Sequence, residues 1–440
     1  MRVLWLSYLV LFVFGMPLYA QYYNSVQHIV GERAAGMGGA YSALGDNSTA
    51  LWYNPAGLAG IKNPSLNISL NSYSYLTTEI KGYMEMMNWM GDTHEIDLKE
   101  SDFSIVGTSL IYGKRLGKNT GLAFGLFAPF QENIVASISD SVTSPIYVDP
   151  DNGSQSQYDY MLKKSITKSS KYYLGMAGIG HDIGFMHIGF SIGFGNYSEV
   201  ITGGDFVYRE HVITKAKVVK FSYAENSKSI YTAMAKVGGR FFIGDNQVIG
   251  LQVKTPDVSI SGSKQQNLSE EESSVVVEED LEAFTFLFPS QLALGYGYML
   301  PGMLGIDIDL LWSSTSSFHA VSALNFRGGI EYFLNKKITL RAGGFTDFSQ
   351  SEIIRENGFN ESSIDYYGGT FSLSFAKDFS IVKDNVTQEK HLWSTFGLSY
   401  RMGRGDVEIY KLDKMSTEVP PVKSQTVHHV SVFIAESLAF

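Results

Sequence analysis

Three groupings of reactive residue types stand out in the chain, and none has the spacing of a catalytic site. Gly36-Met37-Gly38-Gly39 is glycine-rich, but a phosphate-cradling loop needs a strand before it and a lysine after it, and neither is there. His428 and His429 are neighbours in an alternating stretch, so their rings face opposite sides and make a poor metal pair. Serines are plentiful, and the one G-x-S-x-G match, Gly189 to Gly193, falls inside an alternating strand pattern and not at a strand-to-helix elbow, so it presents no nucleophile. The lack of cysteine removes disulfides, thiolate metal sites and a lipidated N-terminal cysteine. The sequence therefore points away from an enzyme, a metal centre or a cofactor.

Recognition chemistry remains. Met84, Met87 and Trp89 sit in Tyr83-Met84-Glu85-Met86-Met87-Asn88-Trp89-Met90, a flexible and polarizable stretch suited to varied oily ligands. Phe284, Phe286 and Phe288 form a second apolar cluster just before Pro289. Each cluster suits ligand contact or loop-on-loop packing equally. Arg327 and Arg341 are the candidates to meet an acidic head group, on the sole ground that their strand pattern turns them inward. A net charge of −10 without a basic stripe argues against nucleic acid.

The elements that position these residues read as strands. From Ser65 onward, apolar and polar residues alternate, as in Leu66, Ile68 and Leu70 against Asn67, Ser69 and Asn71. The alternation recurs in pairs joined by short turns such as His181-Asp182-Ile183, Leu300-Pro301-Gly302 and Leu334-Asn335-Lys336-Lys337. Long polar segments separate the pairs: 78–102, 133–170, 200–229, 262–282 and 349–365. Short turns alternating with long loops are the rhythm of an outer-membrane barrel, and the tally is about 14 strands, within about 12 to 16. Two joints fit poorly. The connection near 314–320 is short for an external loop, and 379–391 is long for a periplasmic turn.

The faces are clearest in the middle hairpins. Ile306, Ile308 and Leu310 alternate with Asp307 and Asp309; Leu324, Phe326 and Ile330 alternate with Arg327 and Glu331. A charge on the lipid face costs a few kcal/mol at mid-bilayer, so these ionised groups must face the lumen. Adjacent strands then set Asp307 and Asp309 near Arg327, and Glu331 near Arg341. Opposite charges across strands make a stiffening ladder, or else a charged patch on a substrate path.

Both ends of the chain carry signals. Arg2, the apolar run from Leu4 to Gly15 and Ala20 before Gln21 make a secretory leader, residues 1–20. No later segment has the ~18 uninterrupted apolar residues of a spanning helix. The alternation of 430–440 continues to a final Phe440, which resembles the C-terminal signal of outer-membrane barrels.

Between leader and first strand lies an apolar, small-residued stretch with two short helical patterns broken at Gly45-Asp46. Its Arg33-Ala34-Ala35-Gly36-Met37-Gly38-Gly39-Ala40, followed by Trp52-Tyr53-Asn54-Pro55-Ala56-Gly57-Leu58, resembles the N-terminal hatch of the FadL family, with PorV-like relatives. That family moves long-chain fatty acids and other hydrophobic compounds through the bacterial outer membrane, and Asn-Pro-Ala is its recurring hatch motif. The resemblance implies an all-β, 14-stranded antiparallel transmembrane barrel over 65–440, plugged by a helical hatch over 21–64. It implies Gly36, Gly38, Gly39, Asn54, Pro55 and Ala56 as hatch residues, a ligand groove among the outer loops, and a deeper pocket against the hatch. It also implies a side opening at a kink in the third strand. Pro129, in Gly125-Leu126-Phe127-Ala128-Pro129-Phe130, has no N–H for the ladder, so it marks either that opening, with Gly125 and Phe130, or an ordinary bend near the rim.

The expected function is a monomeric outer-membrane channel that captures hydrophobic ligands on its loops and passes them across the hatch, with lateral exit into lipid. The alternative is a barrel that anchors or shuttles a secreted-protein partner at the cell surface. An outer-membrane protease or phospholipase would need loops to assemble a site that the linear sequence hides.

Overall fold

The computed structural model describes residues 24, 29–87, 93–143, 147–148, 155–156, 158–212, 214–270, 273–280, 287–314, 322–350, 362–383, 386–408 and 422–440. Among these, fourteen antiparallel strands close into one barrel. The first seven are β1 (Ser65–Met87), β2 (Thr93–Leu116), β3 (Thr120–Thr143), β4 (Tyr158–Asp182), β5 (Met186–His211), β6 (Lys217–Ile243) and β7, in two runs, Gln247–Lys254 and Val258–Glu270. The others are β8 (Gln291–Leu300), β9 (Leu304–Ser313), β10 (Ala323–Asn335), β11 (Ile338–Asp347), β12 (Ser362–Lys383), β13 (Val386–Glu408) and β14 (Val422–Ala439). Each strand pairs with the next in sequence, and β14 returns to β1 from Ser65↔Ala439 to Ile80↔Gln425. A further strand, Ser273–Asp280, pairs, among the described residues, only with the second run of β7.

Alternation decides which way each side chain turns. On β9, Asp307 and Asp309 are wholly buried, whereas Ile308 and Leu310 are 40% and 43% exposed. On β10, Asn325, Arg327 and Glu331 are buried while Leu324, Phe326 and Ile330 are exposed. The same apolar exposure continues around the wall, through Phe124, Leu126, Phe190, Phe194, Phe371 and Phe396. So large an oily exterior is far beyond what a water-soluble monomer shows. It is the lipid-facing surface of a transmembrane barrel, whose closure leaves no backbone edge to face hydrocarbon. No helix among the described residues is long and apolar enough to cross a membrane; the strands do the crossing.

The wall is uneven in height. Strands β1 to β6 run 23 to 27 residues, whereas β8 to β11 run only 10 to 13. A tilted strand crosses the bilayer in about 9–11 residues, so the longer strands continue well past it on the side away from the short turns. Much of what the sequence pattern assigns to long loops is therefore paired strand. The segment 78–102 continues β1 to Met87 and starts β2 at Thr93, and most of 133–170, 200–229 and 262–282 is ladder too. Likewise 379–391, expected as a long turn, is a hairpin paired down to Lys383↔Val386. Polar composition hid these strands, because above the membrane neither face needs to be apolar.

Two of the ladder's interruptions fall on β3. Between Phe127 and Phe130 the β3–β4 register slips, so Ala128 and Pro129 stand opposite Tyr173 alone, a bulge centred on the residue that lacks a donor. On its other side, β3 pairs with β2 only from Leu116↔Thr120 to Ser109↔Phe127. Above that point β2 stays on β1 and β3 stays on β4, and no ladder pair joins β2 to β3 among the described residues. The result is a vertical seam in the outer wall.

A cation placed on the lipid face gives the test of facing. Ile308→Arg is expected to lower barrel stability in lipid vesicles by about 2–4 kcal/mol, read as a fall in the urea midpoint, while Ile308→Leu leaves it nearly unchanged.

Candidate functional site

Residues 29–61 lie inside the barrel, and almost all of them are buried. They form helix α1 (Glu32–Gly36), helix α2 (Ala50–Tyr53) and a 3-10 turn, Pro55–Gly60. Pieces of 4 to 6 residues are too short to persist alone, so the wall must hold them.

Asn54 organises the end of the segment. Standing before Pro55, it is kept extended (φ −150°, ψ 104°), and its Oδ1 accepts from the N–H of Ala56 at 3.1 Å, capping the turn that Pro55 begins. Its Nδ2 donates to the carbonyl of Ser42 at 2.9 Å and lies 3.2 Å from that of Gly239 on β6. One buried amide thus ties both halves of the segment to the barrel. The turn itself packs against wall backbone: a Cβ on Gly189 would come within 2.2 Å of the Pro55 carbonyl carbon, so that position admits only glycine.

The first half is held by charge. Asp309 Oδ2 accepts from the N–H groups of Tyr41 (2.9 Å) and Ser42 (3.1 Å) and from Ser42 Oγ (3.0 Å), and Asp307 Oδ2 accepts from the Leu44 N–H at 2.8 Å. Arg240 Nε donates to the Ala43 carbonyl at 2.7 Å. Below them Arg33 bridges Asp46 (3.0 Å) and Glu331 (2.7 Å), and Glu331 also receives Arg341 Nε at 2.7 Å. Removed from water, Asp309 and Glu331 each depend on several donors at once. Near α1, the Gly38 N–H donates to Thr370 Oγ1 (2.9 Å), which donates to the Gly36 carbonyl (3.0 Å). Gly38 itself has φ +66° and lies against the backbone of Gly344, two reasons for glycine at one position. The Gly39 carbonyl meets Arg327 Nη1 at 3.4 Å.

The expected cross-strand ladder is thus half present. Glu331 and Arg341 are register partners and bond directly. Asp309 is the register partner of Arg327, but the oxygen it uses serves the backbone of the inner segment instead. Asp307 stands opposite Gly329.

Above the segment, on the side away from the short turns, lies a cavity. Its apolar wall includes Trp52, Phe130, Tyr172, Leu174, Met234 and Phe288. Its charged groups are Lys236, Lys254 and Arg327 against a single carboxylate, Asp257, a formal surplus of two positive charges. Asp257 is engaged by Lys254 at 2.9 Å and by the Tyr172 hydroxyl at 3.1 Å. Lys236 donates to the Trp52 carbonyl and stands 4.4 Å over its indole. Pro129 and Phe130, at the strand bulge, line the same cavity.

The residues singled out from sequence are distributed unevenly around it. Pro129, Phe130, Phe288 and Arg327 line the cavity; Gly125 is inward-facing just below the bulge, against Phe127. Arg341 lies beneath, committed to Glu331 and Ser374. Met84 and Met87 belong to β1, and Trp89, Phe284 and Phe286 lie outside the described residues. Lys236 and Lys254 were missed, although the signal was available. Lys236 alternates with Ala235 and Val237 in a spanning strand, the pattern that turns Arg327 inward.

No protein-family model matches the chain, and no curated protein matches its sequence. Solved structures do match over nearly its whole length. A FadL homologue from Pseudomonas aeruginosa superposes with a TM-score of 0.63 at 10% identity, covering 94% of this chain and 99% of that one. The Pseudomonas putida toluene transporter TodX gives 0.56 at 14% identity, covering 93% and 98%. The monoaromatic hydrocarbon channel CymD gives 0.52 at 11% identity, covering 93% and 97%. The chain has the FadL-type fold.

Asp309 provides the test of the charged attachment. Asp309→Ala leaves three buried donors without their acceptor, at about 1–3 kcal/mol for each unsatisfied group. The expected outcome is hydrogen exchange of residues 38–46 accelerated at least tenfold, with the ladder amides of β9 and β10 still protected.

Proposed function

We propose that the protein is a channel of the bacterial outer membrane for the uptake of hydrophobic small molecules bearing an acidic head, long-chain fatty acids among them. The observation that carries this reading is the cavity: an aromatic and aliphatic wall into which Lys236, Lys254 and Arg327 bring more positive charge than Asp257 balances. A neutral hydrocarbon has no use for that surplus. A carboxylate held there gains charge-assisted hydrogen bonds while its chain lies on Trp52, Phe130 and Phe288. The solved neighbours are described as a FadL homologue, a toluene transporter and a hydrocarbon channel, which supports hydrophobic cargo.

In this proposal the leader directs export, residues 21–64 act as the hatch, and cargo descends from the outer rim to the cavity. Two exits are open to it. A shift of the hatch releases it towards the short-turn side; the bulge at Ala128-Pro129, where β2 leaves β3, lets it pass sideways into lipid. The second route spares an oily chain the charged layer around Arg33, Glu331 and Arg341.

Extraction and identification of lipids retained by the detergent-purified protein tests the cargo class directly; neutral hydrocarbons alone would count against an acidic head. With a fluorescent sixteen-carbon acid as probe, Lys236→Met combined with Lys254→Met is expected to weaken binding at least tenfold. The matching alcohol should change less than threefold. An equal loss for acid and alcohol would mean that the lysines shape the pocket without reading the head group.

A further inference from the structure

Asp257 reaches the cavity against the alternation of its own strand. On β7 the buried, inward positions include Gln252 and Lys254, and a strict period of two would turn residue 257 to the outer face. Instead Thr255, Pro256 and Asp257 stand opposite Met234 and Ala235 alone, between the ladder pairs Lys236↔Lys254 and Ala233↔Val258. The extra residue is a bulge, set where Pro256 has no N–H to give the ladder. It shifts the phase by one, so Asp257 and Ser259 are buried as Gln252 and Lys254 are before them. The break is closed by other bonds. Thr255 Oγ1 accepts the Ala235 N–H at 2.9 Å, the Asp257 N–H donates to the Phe288 carbonyl at 3.1 Å, and the Leu287 N–H donates to the Asp257 carbonyl at 2.9 Å.

The carboxylate turned inward by this bulge lands on the donors that a cargo head would use. Lys254 Nζ lies 2.9 Å from Asp257 Oδ1, and the Tyr172 hydroxyl donates to Oδ2 at 3.1 Å. That hydroxyl is itself positioned by Thr232 Oγ1, 2.9 Å away. Tyr172 comes from β4 and Lys254 from β7, so the grip joins strands that are not neighbours in the wall. An ammonium and a phenol converging on one point form a carboxylate site, and the chain fills it with a side chain of its own. Lys236 and Arg327, by contrast, rest on the carbonyls of Trp52 and Gly39, which are dipoles and not charges.

Resting on the acidic-head reading of the cavity, we propose that Asp257 is a displaceable internal counter-ion. Before cargo arrives it occupies the Lys254–Tyr172 site; the carboxylate of an acidic amphiphile takes its place there, and its return helps to expel the cargo. Two carboxylates cannot share these donors in contact, because like charges repel strongly where little water screens them. The exchange also answers a requirement of any channel, that binding be strong enough to admit a ligand and weak enough to release it. Asp257 thereby sets how tightly an acidic head is held.

The purified protein in detergent is titrated with the fluorescent sixteen-carbon acid and with the matching alcohol. Asp257→Asn removes the charge and keeps the shape, and it is expected to tighten acid binding at least tenfold, with the acid-to-alcohol affinity ratio rising by a similar factor. Asp257→Glu, which keeps the charge, should stay within threefold of the wild type. Heat-modifiable gel mobility reports an intact barrel in each case. A second measurement needs no variant. With the aspartate carboxylates labelled with carbon-13, the infrared difference spectrum of the wild type should show a labelled band shifting on addition of the acid and none on addition of the alcohol. Equal affinity of the wild type for acid and alcohol would overturn the acidic-head reading and this proposal with it. An acid-preferring wild type whose affinity is unchanged or lowered by Asp257→Asn would overturn this proposal alone, as would acid binding without a shift of the labelled band.

Discussion

Every ionised side chain in the spanning wall must find its partners inside, because the outward side offers only hydrocarbon. That one constraint sets Asp307, Asp309, Arg327, Glu331 and Arg341 on the lumenal face. It also leaves them short of partners, since a ladder of alternating signs would need perfect register around the barrel. The inner segment resolves the shortage. Its backbone N–H groups at Tyr41, Ser42 and Leu44 bind one oxygen of each aspartate, and Arg33 completes Glu331. The wall's charge and the segment's unpaired backbone are each the other's solution.

The two sides of the barrel grip the segment with different balances of forces. Towards β9–β12 directional charge adds to close backbone approach at Gly329 and Gly343. Towards β3–β6 the attachment is mainly steric, with small residues letting the Pro55–Gly60 turn lie directly on wall backbone. The cavity occupies the space left above this second half, where apolar residues of β3, β4 and β6 face inward. Its cations come from β6, β7 and β10, whose alternation would place them inward with or without a ligand. The excess of positive over negative groups is what distinguishes the cavity from ordinary lumen filling.

Much of this was legible in the sequence. Strict two-residue alternation located β8 to β11 and their facing, because those strands cross lipid along nearly their whole length. The Asn54-Pro55-Ala56 turn was legible as a stiff turn, since proline restricts both itself and the residue before it. The tall outer strands were not legible. Segments such as 158–170 and 217–229 pair in water, where alternation carries no penalty for failing, so their polarity reads as loop. Nor could spacing reveal that Asp309 would be claimed by a chain segment some 270 positions away (268 to Tyr41) and not by Arg327, its neighbour across the ladder. Lys236 was legible by the same alternation, since it and Arg240 share one phase of the 230–243 pattern.

The sequence distance spanned by the segment's anchors bears on biogenesis. Leu44 is bound by Asp307, 263 residues later, and Gly38 by Thr370, 332 residues later. The portion of the chain that emerges first from synthesis therefore cannot be locked until nearly the last strands have assembled. Until then its small, oily surface is without a home, and it must be sheltered by chaperones or wait loosely at the nascent mouth. Closure of β14 onto β1 and seating of the segment are consequently late, coupled events, so a fully seated interior is a certificate that assembly has finished.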